Sequence, residues 1–278
     1  MEPILKWAGG KKQLKNELRL IITPELLGSN RYYEPFIGGG FLAFSLEHNK
    51  TSINDYNGEL INVYNVVRDF PEELIEELKA HQKNHSKEYY YKIRALDRDF
   101  KKYSRLSAVK KAARTIYLNK TCYNGLYRVN SNGFYNVPIG RSSRMPDIVI
   151  PNKIHALSDY LNKKEIKITC GDFEEAVKSA QKNDVIYFDP PYDYENDGFK
   201  AYVNIGFNHS DLIRLRDLCD RLVKKGCKVI ISNNDTKFVR ECFNKDYYKI
   251  KEVETKRYIN CKGKNRTKAR EVIIYGEK

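Results

Sequence analysis

Short apolar runs alternate along the chain with longer segments of helical periodicity. Seven runs have the length and composition of β-strands: residues 31–36, 51–54, 165–169, 184–188, 227–232, 248–254 and 271–275. This alternation is typical of βαβ units around a largely parallel sheet, so we predict an α/β fold. The last two runs are joined by a basic segment, which predicts an antiparallel pair at one end of the sheet.

Residues 57–162, between the second and third predicted strands, have mainly helical patterns. One segment within them, at about 122–144, is rich in Asn, Gly, Ser and aromatic residues, which favours a hairpin or an ordered loop. A chain of 278 residues can bury one substantial core and still have sequence left for a smaller lobe. We therefore predict one main domain that carries a helical insertion.

The chain shows no sign of a membrane anchor or a metal centre. No apolar run approaches the roughly 20 residues of a membrane helix, and the N-terminus lacks the apolar stretch of a signal peptide. The six cysteines and five histidines contain no C-x-x-C pair or other metal-ligand spacing. We expect a cytoplasmic protein with reduced thiols, no membrane contact and no metal.

Positive charge is concentrated in two stretches. The formal net charge is +14, and residues 100–146 contain ten Lys or Arg but no Asp or Glu. Residues 256–270 contain seven Lys or Arg and again no acidic residue. Each stretch taken alone fits a solvated basic face, but the two together favour a polyanionic partner such as a nucleic acid.

A glycine turn follows the first predicted strand. Gly38, Gly39 and Gly40 precede an apolar helical segment. Glycines at the carboxyl end of a strand let a ligand approach the backbone, and the next helix offers unpaired N–H groups. Asp55 follows the second strand, where a carboxylate can accept hydrogen bonds from ribose hydroxyls. These features indicate a nucleoside-containing cofactor, although a glycine turn by itself can be only a turn.

The strongest motif is Asp189-Pro190-Pro191-Tyr192, directly after the apolar strand 184–188. The prolines fix the backbone and leave the Pro190 carbonyl as an acceptor beyond the strand. The Asp189 carboxylate is a second acceptor, so the pair suits an amino group, which donates two hydrogens. Tyr192 offers a face on which a base can stack. A rigid turn that caps a helix would explain the prolines but not the carboxylate and the aromatic ring.

Several motifs follow one another in a definite order along the chain. They are Lys6-Trp7-Ala8-Gly9-Gly10-Lys11, Glu34-Pro35-Phe36 with the glycine turn, Asn54-Asp55, Asn124-Gly125-Leu126-Tyr127-Arg128, residues 134–140, Gly171-Asp172-Phe173, Asp189-Pro190-Pro191-Tyr192 and Ser232-Asn233. A chain with this order resembles the Dam-like D12 class of N6-adenine DNA methyltransferases. Within that class it looks most similar to enzymes that methylate the adenine of GATC, such as the methyltransferase of the DpnII restriction system.

The resemblance implies a Rossmann-like methyltransferase fold with a seven-stranded, mostly parallel sheet. Residues 1–56 and 163–278 would form the catalytic domain, which binds S-adenosylmethionine. Residues 57–162 would form an inserted helical target-recognition domain, whose hairpin at about 122–144 reads DNA.

The resemblance also implies how S-adenosylmethionine is bound. Trp7 and Lys11 would lie against its methionine part, and Asp55 would hold the ribose. Asp172 and Phe173 would flank the adenine. The other implied cofactor-binding residues are Phe36, Gly38, Gly40 and Asp189.

The implied chemistry is direct methyl transfer to an adenine that has left the duplex. The flipped base would stack on Tyr192 and donate its amino hydrogens to Asp189 and Pro190. In that geometry the N6 lone pair would point at the methyl group, so no covalent enzyme intermediate is required.

Sequence-specific DNA contacts are expected from the hairpin and from the N-terminal segment. The implied DNA-binding residues are Lys6, Tyr123, Asn124, Leu126, Arg128 and Arg141. Arg128 would bond guanine O6 and N7, and Leu126 would contact a thymine methyl group. Tyr123 would fill the gap left by the flipped base, and the basic segment 262–270 would hold phosphates.

Double-stranded DNA is therefore the expected partner of a protein that acts as a monomer, and a functional pairing with a restriction endonuclease fits the resemblance. Two other interpretations stay open. One is a methyltransferase for an amino group in RNA or protein. The other is a catalytically silent regulator that binds DNA.

Overall fold

A computed structural model describes residues 1–7, 14–141, 146–163, 165–193, 207–256 and 268–277. The chain divides into two compact units. The sheet unit comprises Lys11–Ile37, Lys50–Asn54 and Asp172–Lys278. The helical unit comprises Met1–Gly10, Gly38–Asn49 and Asp55–Gly171.

The seven strands are β1 Tyr32–Glu34, β2 Thr51–Asp55, β3 Lys167–Cys170, β4 Val185–Phe188, β5 Lys228–Asn234, β6 Tyr248–Lys256 and β7 Lys268–Gly276. They form one sheet in the order β3-β2-β1-β4-β5-β7-β6. β1 pairs in parallel with β2 and β4, β4 pairs in parallel with β5, and β7 is antiparallel to both β5 and β6. The order 3-2-1-4-5 is that of Rossmann-type sheets. The predicted α/β fold with a seven-stranded, mostly parallel sheet is confirmed.

All seven predicted strands are present, and the last two form the predicted antiparallel pair, but several bounds differ. β1 ends at Glu34 rather than at residue 36, because Pro35 has no N–H for the ladder. β7 begins at Lys268 rather than at residue 271, because β6 pairs with it as far as Lys256. The antiparallel partner therefore sets the length of this strand.

The helices are α1 Lys15–Leu26, α2 Ala43–Leu46, α3 Gly58–Asp69, α4 Pro71–Lys83, α5 Lys87–Arg94, α6 Phe100–Ser104, α7 Ala108–Thr121, α8 Pro151–Leu161, α9 Phe173–Ala176, α10 His209–Lys224 and α11 Lys237–Cys242. Residues 58–161 are mainly helical, as predicted. None of the helices in the described part of the chain is long and apolar enough to cross a membrane.

The core of the sheet unit lies between the sheet and α10. β4 is buried along its whole length, as expected for a parallel strand covered on both faces. In α10, Leu212, Leu215, Cys219 and Leu222 recur at the helical spacing and are buried in the same cluster as the strand residues. A capping box at Asn208 starts this helix and satisfies its first N–H groups.

In the helical unit, α7 packs against α3, α4 and α5, and almost every residue from Ala112 to Thr121 is buried. The segment after α7 forms a hairpin, with isolated antiparallel bridges between Cys122 and Ile139 and between Val129 and Tyr135. The predicted hairpin is therefore present over residues 122–141, and residues 142–145 lie outside the described residues. The assignment of 57–162 as a target-recognition domain stays a prediction.

Candidate active site

In the sheet unit, β1 and β4 are parallel neighbours at the point where the strand order reverses. Ligands of doubly wound sheets bind outside the carboxyl ends of the strands at this switch point. Phe36 lies two residues beyond β1, and Asp189 directly follows β4. Two of the residues predicted from the sequence therefore follow the strands that meet at the switch point.

A chain of hydrogen bonds holds the Asp189 carboxylate. The Ser232 hydroxyl on β5 donates to Asp189 Oδ1 at 2.9 Å and lies 2.8 Å from the Tyr187 hydroxyl on β4. A serine hydroxyl has one hydrogen, so Ser232 accepts from Tyr187. Burial raises the pKa of Tyr187 well above its usual value, and the nearby Asp189 charge raises it further. The phenol therefore keeps its proton, and the chain runs from Tyr187 through Ser232 to Asp189.

The rest of the Asp-Pro-Pro-Tyr turn is also fixed. Pro190 is buried, and the half-buried Tyr192 donates its hydroxyl hydrogen to Glu271 on β7 at 3.1 Å. The next residue, Asp193, accepts a hydrogen bond from Thr236 Oγ1 at 2.6 Å. These contacts hold the C-terminal end of the turn to β7 and to the residue that caps α11.

Aromatic rings line the sheet unit beyond β1. The rings of Phe36 and Phe173 stack at 5.4 Å with an interplanar angle of 29°. Phe207 meets Phe36 edge to face at 5.9 Å, and Phe188 does so at 6.4 Å. Two predicted cofactor residues, Phe36 and Phe173, are thus in contact, and their rings can line a recess for a flat apolar group.

Asp172 lies next to Phe173 and has two structural roles. Its Oδ1 accepts from the backbone N–H of Glu174 at 2.9 Å and so caps α9. The carboxylate also pairs with Arg214 of α10 at 3.2 Å. The Arg214 guanidinium lies 5.0 Å from the centre of the Phe173 ring. Arg214 therefore contacts both predicted adenine-binding residues, and the sequence reasoning missed it because Arg214 follows Asp172 by 42 positions.

In the helical unit, the glycine turn can hold only glycine. Gly38 and Gly40 have φ angles of +47° and +71°, which side-chain-bearing residues rarely adopt. A Cβ on Gly38 would lie 2.9 Å from Trp7 Cδ1, and one on Gly40 would lie 1.9 Å from Phe44 Cε2. The turn therefore presents bare backbone beside the Trp7 ring.

Asp55 closes this turn from the end of β2. Its Oδ2 accepts from the N–H of Gly38 at 3.0 Å, and its Oδ1 accepts from the N–H of Asn57 at 2.9 Å. Burial raises the pKa of Asp55, while the backbone N–H groups act in the opposite direction. The next residue, Tyr56, is an aromatic side chain that is 72% exposed. It was not singled out from the sequence, although its place after Asp55 could have indicated it.

Trp7 stacks on Tyr127 of the hairpin, with ring centres 5.3 Å apart and an angle of 23°. Burial raises the pKa of Tyr127 to about 12, so the ring stays neutral. The side chain of Asn119 in α7 forms two hydrogen bonds with the backbone of Lys6. It accepts from Lys6 N at 2.9 Å and donates to Lys6 O at 2.6 Å. The same Asn119 amide donates to Gly125 O at 3.1 Å. The N-terminal segment and the start of the hairpin are thereby joined.

The other predicted DNA-binding residues lie along the hairpin. Asn124 has a positive φ of 55°, in the turn that precedes Leu126. Arg128 donates from Nε to Asn136 Oδ1 at 2.7 Å. The exposed Arg141 lies 6.0 Å from the centre of the Tyr123 ring.

The predicted site residues fall into two groups, one in each unit. The sheet unit holds Phe36, Asp172, Phe173, Asp189, Pro190 and Tyr192, and the helical unit holds Lys6, Trp7, Gly38, Gly40, Asp55, Tyr123, Asn124, Leu126, Arg128 and Arg141. Lys11 and residues 257–267 lie outside the described residues. Ser232 and Arg214 are functional candidates that were given no role from the sequence.

A Rossmann-type sheet with an Asp-Pro-Pro-Tyr turn at its switch point defines a class of methyltransferases that act on amino groups. The chain belongs to one family of that class, the D12 class N6 adenine-specific DNA methyltransferases, whose family model matches residues 7–259.

Individual relatives span almost the whole chain. The type II methyltransferase M1.LlaDCHI of Lactococcus lactis subsp. cremoris is 44% identical over 276 residues, covering 99% of this chain and 95% of the relative. The type II methyltransferase M.MjaIII of Methanocaldococcus jannaschii is 40% identical, covering 96% and 95%. A DNA adenine methylase of Haemophilus influenzae is 32% identical, covering 99% and 93%.

Proposed function

We propose that this protein is a site-specific DNA methyltransferase that transfers the methyl group of S-adenosylmethionine to N6 of adenine in GATC. The observation that carries the proposal is the hydrogen-bond chain from Tyr187 through Ser232 to Asp189 at the switch point. It holds a carboxylate acceptor directly before the buried Pro190. A fixed pair of acceptors is what a planar amino group requires.

The residues present fit S-adenosylmethionine, which supplies an electrophilic methyl group when bound. In the helical unit, Gly38 and Gly40 leave the backbone bare beside Trp7, and Asp55 offers a carboxylate for ribose hydroxyls. In the sheet unit, Phe36 and Phe173 offer apolar faces for an adenine. Asp172 can accept from an adenine amino group. Lys11 is assigned to the methionine part by family resemblance alone.

Catalysis rests on how the turn holds the target amino group. Asp189 and the Pro190 carbonyl each accept one hydrogen of N6, so the nitrogen lone pair is directed away from the adenine ring system. Methyl transfer then leaves a positively charged nitrogen that readily loses a proton, and the Asp189 carboxylate is placed to accept it. The Ser232 hydrogen bond keeps that carboxylate from rotating.

The target base has to leave the duplex, which costs a few kcal/mol of stacking and pairing. Stacking on Tyr192 and hydrogen bonds to the turn offset part of this cost. The Glu271 hydrogen bond holds the Tyr192 ring in position for the stack.

The hairpin is proposed to read the sequence around the adenine. Arg128 contacts guanine, Leu126 contacts a thymine methyl group, and Tyr123 fills the gap left by the flipped base. Asn124 and Arg141 lie in the same hairpin and contribute to its DNA surface, while the basic segment 262–270 holds phosphates. Lys6 contacts a base from the N-terminal segment. The low acid content of residues 100–146 supports a surface for a polyanion.

The biological setting is proposed on the same basis. Two of the relatives are named type II methyltransferases, which favours pairing with a restriction endonuclease. We propose a cytoplasmic monomer, with residues 57–162 as target-recognition domain and residues 1–56 and 163–278 as catalytic domain.

The proposal is tested with labelled S-adenosylmethionine and duplexes that carry GATC or a single-base variant. We expect label on the GATC adenine alone, and none with Asp189→Ala, while that variant still binds the duplex. Label on RNA or protein substrates would instead support a methyltransferase for an amino group in RNA or protein. Specific DNA binding without any transfer would support a silent regulator.

A further inference from the structure

The return strand of the hairpin, residues 135–139, is anchored to the rest of the helical unit by a buried ion pair. Arg114 of α7 is 4% exposed and pairs with Asp97 Oδ2 at 2.8 Å. The same oxygen accepts from the backbone N–H of Tyr135 at 2.7 Å. The carbonyl of Tyr135 accepts from Arg98 Nη2 at 3.1 Å. Both backbone polar groups of Tyr135 are thus held by side chains outside the hairpin.

The residue two positions later is held in the same way. The Val137 carbonyl accepts from the fully buried Tyr90 hydroxyl at 2.9 Å and from Arg94 Nη1 at 3.1 Å. Tyr135 and Val137 are both buried, whereas Asn136 between them is only partly buried. Because side chains alternate along an extended strand, Asn136 projects to the opposite side from its two anchored neighbours.

The Asn136 side chain contacts the predicted guanine-reading residue. Its Oδ1 accepts from Arg128 Nε at 2.7 Å, and its backbone N–H donates to the Arg128 carbonyl at 3.0 Å. Among the residues that the structure describes, no other side chain bonds the Arg128 guanidinium. The terminal Nη1 and Nη2 groups are therefore left for a ligand, while Nε is occupied.

We propose that Asn136 is a positioning residue that determines specificity by fixing the plane of the Arg128 guanidinium. The inference rests on the proposed function, in which Arg128 reads guanine. With Nε held, the Nη1 and Nη2 pair forms the fork that meets guanine O6 and N7. The anchored return strand sets the position of Asn136, so the fork is oriented before DNA arrives. Recognition then loses less rotamer freedom of a long side chain.

The test measures discrimination at guanine rather than overall affinity. Duplex binding is compared for GATC and for GATC with each guanine in turn replaced by 7-deazaguanine, which lacks the N7 acceptor. In the wild type, one replacement is expected to weaken binding, and the guanine ratio is the affinity for GATC divided by the affinity for that replaced duplex. In Asn136→Ala the guanine ratio is expected to fall about tenfold, because a hydrogen bond to a charged group is lost. Asn136→Asp keeps an acceptor for Nε and is expected to keep the ratio.

Asn130→Ala is the matched control, because in the described part of the chain the Asn130 side chain accepts only from the backbone N–H groups of Asn132 and Phe134. It is expected to keep the guanine ratio even if it loosens the turn. If Asn136 instead contacts a phosphate, Asn136→Ala would weaken all duplexes equally. Asn136→Asp would then weaken them further by charge repulsion, with the ratio unchanged, and the proposal would be overturned.

A second measurement separates this inference from the proposed function. The Nε–H resonance of Arg128 in the DNA-free protein, assigned by its loss in Arg128→Lys, is expected to be protected from solvent exchange. Protection should disappear in Asn136→Ala and persist in Asn136→Asp. Rapid exchange in the wild type would refute the positioning role directly. A protected Nε–H in a wild type that ignores 7-deazaguanine would instead refute guanine reading by Arg128, and with it the specificity role of Asn136.

Discussion

The Ser232 hydroxyl donates a hydrogen bond to the Asp189 carboxylate at 2.9 Å, across the neighbouring strands β5 and β4. This contact joins residues 43 positions apart. The hydrogen bond fixes the orientation of the Asp189 carboxylate, which is the acceptor at the end of β4.

Ser232→Ala is expected to lower the rate of methyl transfer about tenfold, because the Asp189 carboxylate loses the donor that fixes its orientation. Binding of DNA should change little. Tyr187→Phe is the control, since it removes only the first link of the chain and should lower the rate by less than about threefold. Single-turnover transfer of labelled methyl groups measures both variants. A Ser232→Ala rate equal to that of the wild type would contradict the role of this chain.

Arg214→Gln is expected to weaken binding of S-adenosylhomocysteine about fivefold, with the rate at saturating cofactor unchanged. The substitution removes the contact with the Phe173 ring and the ion pair with Asp172, and each is of modest strength because the Arg214 side chain is 46% exposed. Arg221→Gln is the matched control, because Arg221 lies on α10 as Arg214 does and pairs with Glu174 of α9. Calorimetry gives the affinities. If both variants lost the same affinity for S-adenosylhomocysteine, Arg214 would have only a general electrostatic effect.

Gly38→Ala is expected to destabilise the protein and to shift the fluorescence of Trp7, the single tryptophan. A side chain at a positive φ costs about 1–2 kcal/mol, and the new Cβ would lie 2.9 Å from the Trp7 ring. Gly133→Ala separates the two effects, since Gly133 has a φ of +78° but nothing within 4 Å of an added Cβ. The control should lower the melting temperature without shifting the emission. An unshifted emission in Gly38→Ala would argue against close packing.

Acid is expected to destabilise the fold through His81. Burial lowers the pKa of His81 to about 4, from an ordinary value of 6.5. Between pH 6.5 and pH 4, His81 therefore binds a proton in the unfolded chain but not in the folded protein. The free energy of unfolding that is present above pH 6.5 decreases as the pH falls towards 4. The loss is about 3 kcal/mol, since each pKa unit corresponds to about 1.4 kcal/mol.

Urea unfolding between pH 7 and pH 4 measures this effect. His81→Gln should have a flatter dependence of the unfolding free energy on pH. His155→Gln replaces a histidine that is more exposed and should keep the wild-type slope. If the unfolding free energy depended on pH equally in His81→Gln and in the wild type, other groups would dominate acid unfolding.

The features that the sequence predicted are local ones. The strand that ends in Asp189, Pro190 and Tyr192 could be identified because a buried parallel strand is a continuous apolar run, and prolines stop it. The glycine turn at Gly38 and the hairpin after α7 were indicated by residue types that only certain backbone conformations accept. These signals lie within a few positions of one another, so the seven strands and the mainly helical segment at 58–161 could be predicted, and the candidate residues could be named.

Contacts between distant segments were decided only by the tertiary structure. Ser232 beside Asp189, Arg214 over Phe173 and Asn136 holding Arg128 each depend on strand register, helix rotation or hairpin pairing. No periodic pattern in the sequence predicts the partner of a serine, an arginine or an asparagine, because such a polar side chain can also form its hydrogen bonds with water at the surface. The sequence by itself determined which candidate groups are present and in what order they occur. Packing of the core then fixed which of them meet, since burial leaves one register and one helix face that satisfy the apolar and polar groups together.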